Sequence, residues 1–194
     1  MNEAPDQARE AFRRRFGSRE FKNVAILDFG EWFDPDDLKV LSAGVTLMVG
    51  ARTPGFVFEL SQFCHRGDLE HRLEHVVQCM VVVYRSRGSL NWLHGAPFVE
   101  EWRRLKLLGI PPSSFETETE AIEDLQNLLE ESDVVERLTR SSLSARKIAN
   151  QAGLFEEDVH RIAAGRQRAS PKVLRLITSA LESLEPSKKP PTAV

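Results

Sequence analysis

Two periodicities share the first two thirds of the chain. "NVAILDF" (23–29), "GFVFELS" (55–61) and "SLNWLHG" (89–95) are short, nearly continuous apolar runs, as expected of strands buried in a sheet. The segments between them repeat at helical spacing. Asp34-Pro35 predicts an N-cap followed by proline at the first helical position, leading into "DDLKVLSAGVTLMVGA" with Leu38, Leu41, Val45 and Met48 on one face. "DLEHRLEHVVQCMVVVYRSRG" places Leu69, Leu73, Val76, Met80 and Val83 on one stripe and ends at Gly88. "PFVEEWRRLKLLGI" predicts a helix that opens on Pro97 and stops at Gly109. An extended segment around Phe115 then leads to a helix over Glu118–Glu131, with Ala121, Ile122, Leu125, Leu128 and Leu129 inward. Strands alternating with helices predict parallel β-α-β units of right-handed crossover, hence a small α/β domain over residues 21–131. Residues 1–20 are polar and Arg-rich and read as an N-terminal arm, either solvated or a helix packed by Phe12 and Phe16.

The pattern changes after Glu131. Ser144 is placed to cap a short helix, "ARKIANQAG", that ends at Gly153. A three-residue turn leads to "EEDVHRIAAG", ended by Gly165, and Ser170-Pro171 starts a last helix. Ile148, Ala149, Val159, Ile162, Leu174, Ile177 and Leu181 form the expected core. "DVVERLTRSS" supplies a first helix, so residues 132–184 form an all-α domain with the helix-turn-helix pattern. The tail, 185–194, is rich in proline and lysine and reads as disordered.

Composition adds little to this outline and charge adds more. The 194 residues are 41% hydrophobic and 28% charged, an ordinary globular balance. No apolar run approaches a membrane span and no signal peptide is apparent, so a cytoplasmic protein without membrane attachment is expected. Cys64 and Cys79 are too few for a disulfide framework and read as free thiols. From Asp133 to Val194 there are 11 Lys/Arg against 7 Asp/Glu, a charge of +4 that leaves −7 for the remainder of a chain of net −3. This asymmetry points to two modules.

In the first module, Glu59-Leu60-Ser61 closes a strand, and Gly95, Leu105 to Ile110, Phe115 and Glu118 to Leu125 follow in a distinctive order. That order resembles the STAS domain of sulfate transporters and anti-sigma factor antagonists, over roughly residues 21–131. The resemblance implies a protein partner such as a kinase or an anti-sigma-like protein. The antagonists carry a serine that such a kinase phosphorylates at the start of the next helix. Gly67-Asp68 stands about there, so Asp68 is either a permanently charged counterpart or simply an N-cap. The docking face implied is Asp68, His71 and His75.

In the second module, Leu143-Ser144, Ile148-Ala149, Ala152-Gly153, Val159, Ile162, Gly165, Ser170-Pro171, Leu174, Ile177 and Ala180-Leu181 resemble the Cro/repressor-like (XRE-type) helix-turn-helix over about 50 residues. The expected architecture is therefore an α/β STAS-like domain followed by an all-α helix-turn-helix domain. The second resemblance implies DNA binding, with Glu156, Glu157 and Arg161 toward bases, Arg146, Lys147, Arg166, Arg168, Lys172 and Arg175 toward phosphates, and the helix-capping Ser144 in the same interface. It also implies a homo-oligomer. Ala145 departs from the polar residue usual after the cap, and Glu156-Glu157-Asp158 puts negative charge where phosphates approach. A helix-turn-helix reused for protein contacts stays open as an alternative.

His71-Arg-Leu-Glu74-His75 also fits H-x-x-E-H, the inverted zinc-protease pattern. Helix phase sets both histidines about 200° from the apolar stripe, toward solvent, and nothing singles out a third ligand. A plain solvated face is the main reading, an incidental surface metal site stays beside it, and a zinc hydrolase is the remote one. The expectation is a non-enzymatic regulator with no catalytic residue, metal or cofactor.

Overall fold

The computed structural model describes residues 3–64, 68–107 and 109–185. They divide into two compact units, Met1–Gln126 and Asn127–Val194. The first is mixed α/β. A mostly parallel five-stranded sheet has its strands in sequence order: β1 (Arg19–Phe21), β2 (Val24–Asp28), β3 (Gly55–Glu59), β4 (Ser89–Leu93) and β5 (Ser114–Phe115). β1 runs antiparallel to β2, and every other pair is parallel.

Strand alternation decides which residues meet which layer. Ala25, Phe56 and Leu90 stand in register, as do Leu27, Phe58 and Trp92. All six belong to one core with side chains of α1 (Glu3–Phe16), α2 (Asp37–Gly50), α4 (Leu69–Arg85) and α5 (Ala96–Leu105). Their strand neighbours, including Ile26, Val57 and Asn91, point the other way. There the buried Asn91 donates to the Ala121 carbonyl and to Asp124 Oδ2 (2.9 Å) on α6 (Glu118–Arg140). Both faces are thus covered, which is why these strands read as continuous apolar runs.

Several boundaries differ from the sequence reading. The N-terminal segment is a packed helix, with Phe12 and Phe16 fully buried. It fits because α2 offers Gly44, where a Cβ would lie 2.0 Å from the Phe12 ring. Arg15 secures α1 to α2 through Asp37 at 2.6 Å. Burial pushes the Asp37 carboxyl up, but the Arg15 guanidinium and the Asp34 N–H outweigh it and hold it below its ordinary value. α2 begins at Asp37 and not after Asp34, because Asp34 turns inward on its own loop, accepting from the Asp36 N–H at 2.9 Å. The strand expected through Ser61 ends at Glu59, and Ser61–Cys64 form a short helix, α3.

The largest difference is α6. The helix expected to stop at Glu131 continues to Arg140 and absorbs the one expected over "DVVERLTRSS". "EESD" between them is polar but holds no glycine or proline, and polarity without a breaker does not end a helix.

The second unit is helical. α7 (Ala145–Ala152), α8 (Glu156–Ala163) and α9 (Pro171–Leu184) enclose, with Val134 and Leu138 of α6, a separate core. All seven core residues expected from the sequence are buried in it. Residues 186–194, most of the tail expected to be disordered, lie outside the described residues, as does Gly67.

Candidate functional site

Two surfaces carry the chemistry read from the sequence, one on each unit. On the first, loops leave the carboxyl ends of β2 and β3, where ligands of open α/β sheets commonly sit. The loop after β2 contributes Trp32 and Phe33, α3 contributes Phe63, and the first turns of α4 contribute Asp68, His71 and His75. They surround a cavity of about 340 Å³. Arg72 fixes its floor, with Nη1 donating to the carbonyls of Glu31 (3.0 Å) and Phe63 (3.1 Å) and its guanidinium lying 4.8 Å from the Phe63 ring centre.

Asp68 is a working N-cap: its Oδ1 accepts from the His71 N–H at 3.1 Å. His71 is exposed, as helix phase requires. His75 is not turned fully to solvent. It is half-buried, 5.8 Å from the Phe33 ring centre, because the loop after β2 folds over a face of α4 that the helix itself leaves open. The two imidazoles meet at Nε2···Nε2 3.2 Å, and Glu74 stands 3.6 Å from His71 Nδ1. Burial, then the neighbouring His71, hold His75 below the usual histidine range. Among the described residues, no group of three or more His, Cys, Asp or Glu side chains is arranged to hold a metal ion.

A second polar cluster lies at the ends of β3 and β4, and sequence reasoning missed it. His94 Nδ1 is 3.1 Å from both Glu59 oxygens, and Glu59 Oε1 also accepts from the Ser61 N–H at 2.7 Å. Spacing in the sequence could not pair residues 35 apart; only the β3–β4 register brings them together. The Glu59 hydrogen bond holds His94 above the usual histidine range. A histidine raised in the folded state stabilises fully below its unfolded value of 6.5, and that contribution fades as pH rises through the higher folded value. Stability measured in urea should therefore fall as pH rises above about 6.5, and His94→Gln should flatten that fall. An unchanged slope in the variant counts against the Glu59–His94 pair. Cys64 Sγ donates to the His94 carbonyl, and burial pushes this thiol up to about 12. It is therefore not poised as a nucleophile.

On the second unit, Ser144 accepts from the Lys147 N–H at 3.3 Å and caps α7. Gly153 ends α7 at φ 68°, a left-handed conformation glycine adopts freely, and Phe155 then leads into α8. Glu156 and Glu157 open α8 and are exposed, as is Arg161 one turn on. They are not independent: Glu157 pairs with Arg161, and Glu156 lies 3.7 Å from His160. Arg168 lies 3.7 Å from Glu131, whose other oxygen accepts from the Ala169 N–H. Arg146, Lys147, Arg166 and Lys172 are exposed, and none has an ion-pair partner among the described residues. Phe155, absent from the sequence-based site, stands at the head of α8 and is 80% exposed.

No family model, curated protein or solved structure matches this chain. The functional reading therefore rests on these two surfaces. No helix among the described residues is long and apolar enough to cross a membrane.

Proposed function

We propose that this protein is a regulator in which the helical unit binds DNA and the α/β unit, STAS-like in its order of motifs, docks a protein partner. The observation that carries the DNA reading is the geometry of α7 and α8. A serine-capped helix, a left-handed glycine and a short turn present the first residues of α8 to solvent, and the same unit exposes Arg146, Lys147, Arg166 and Lys172, none with an ion-pair partner among the described residues. In helix-turn-helix proteins that position meets base edges. Arg161 can reach guanine once it releases Glu157. Releasing it costs little, because an exposed i,i+4 pair contributes only about 0.3–0.5 kcal/mol. Asp68 fits the docking role as a fixed charge at the head of α4.

The test uses the full chain and a duplex selected from a random pool. Affinity should fall steeply between low and moderate salt. Arg161→Ala should cost about 1–3 kcal/mol on the selected duplex and relax base preference at one position. Arg166→Ala should weaken all duplexes alike. Binding that is undetectable or insensitive to salt overturns the DNA reading.

One observation favours a second use of the same surface. A phenylalanine 80% exposed at the head of α8 suits a protein contact as well as a base methyl. In that reading the helical unit mediates oligomers or an adaptor complex, and Phe155→Ala dissociates them while the arginine variants do not.

A further inference from the structure

The H-x-x-E-H stretch lacks the third ligand of a hydrolase centre among the described residues, and its histidines lie away from the core stripe of α4. The structure gives those same residues a different arrangement. His71 and His75 are one helical turn apart, and their rings converge edge to face, at 73°, with Nε2 atoms 3.2 Å apart. Two nitrogens ligating one tetrahedral zinc at 2.0–2.1 Å are separated by about 3.3 Å. The observed spacing is therefore already that of two ligands on a common ion.

The protons suit this arrangement too. One neutral imidazole can donate its Nε2–H to the other at this distance; when both Nε2 atoms ligate a metal ion, that ring carries its proton on Nδ1 instead, so neutral rings bind without releasing a proton. Glu74 stands at the far nitrogen of His71, 3.6 Å from Nδ1. A carboxylate at the second nitrogen favours the tautomer that leaves Nε2 free to ligate, an arrangement common behind metal-bound histidines. The pair borders the cavity that Asp68 and Glu31 also line, and Glu74 is the carboxylate whose charge favours a cation at His75. The Arg72 guanidinium opposes a cation at His75, with its Nη1 engaged on the carbonyls of Glu31 and Phe63.

We propose that His71 and His75 form a two-histidine site for a divalent transition-metal ion of the zinc class, with Glu74 as the positioning carboxylate and water completing the shell. The site has an open side, since His71 is exposed. It makes no use of Glu74 as a general base and is no hydrolase centre. It is independent of the DNA reading, because all three residues lie in the α/β unit.

The experiment is titration of the metal-free full chain with zinc alone, followed calorimetrically, and with cobalt, followed by its visible absorption. One ion per chain is expected, with nitrogen ligation in the cobalt spectrum. His71→Ala and His75→Ala should each abolish binding at concentrations that half-saturate the native chain. Glu74→Gln should weaken it about tenfold. His71 and Glu74 are exposed and His75 is half-buried against Phe33, and an unchanged far-ultraviolet dichroism spectrum and urea midpoint will show that the unit remains folded. Either histidine variant binding zinc as tightly as the native chain overturns the site. Native affinity in Glu74→Gln overturns the positioning role, and absence of binding to the native chain overturns the whole.

Discussion

Phe29→Ala should cost the α/β unit about 3–5 kcal/mol, the largest loss expected from a single substitution in this protein. Phe29 follows β2 and is fully buried. Its ring meets Phe16 of α1 at 5.7 Å, Phe33 at 5.7 Å, Phe58 of β3 at 4.6 Å and Phe63 of α3 at 6.0 Å. One side chain thus joins a helix, the sheet, and two of the walls of the cavity. Truncation leaves a hole lined by aromatic rings attached to different elements, which cannot all close on it. The probe is built in: Trp32, Trp92 and Trp102, the only tryptophans, all lie in this unit. Their emission in urea should show a lowered midpoint with an unchanged slope. A midpoint within error of the native one counts against Phe29 as the joint.

Ile177→Ala should act on the helical unit, costing about 2–5 kcal/mol. Ile177 is fully buried at the centre of a core shared by α6, α7, α8 and α9. A unit of this size ordinarily has only a few kcal/mol of stability in total, so much of it should unfold at ambient temperature. Far-ultraviolet dichroism should then lose helical signal while tryptophan emission stays native, because the cores are separate. The same variant bears on function. Loss of duplex binding with native emission supports DNA recognition through α7 and α8. Retained binding sends the search for the DNA surface elsewhere.

Much of this architecture was legible from local pattern. The three apolar runs are β2, β3 and β4 within a residue or two, since strands buried on both faces leave a signal that needs no partner. α7, α8 and α9 were as clear, because Ser144, Gly153 and Ser170-Pro171 mark their ends through short-range hydrogen bonds and backbone preferences. These are interactions over four residues or fewer, and sequence records them directly. The β1 strand and the continuity of α6 were not legible. β1 is three exposed residues paired only to its neighbour, and α6 lacked a breaker that charge alone seemed to supply.

The candidate site divides along the same line. Composition and spacing placed Asp68 at the head of α4 and the two histidines one turn apart on it. They left open what stands opposite. The loop carrying Trp32 and Phe33 reaches α4 across some forty residues, and the Glu59–His94 pair depends on the register of two strands. Such contacts are set by how layers pack, and no local periodicity encodes them. Helix phase could say that His75 faces away from the core. Packing added the aromatic wall against which it rests, and with it a cavity, a paired imidazole and a reason to test for a metal ion.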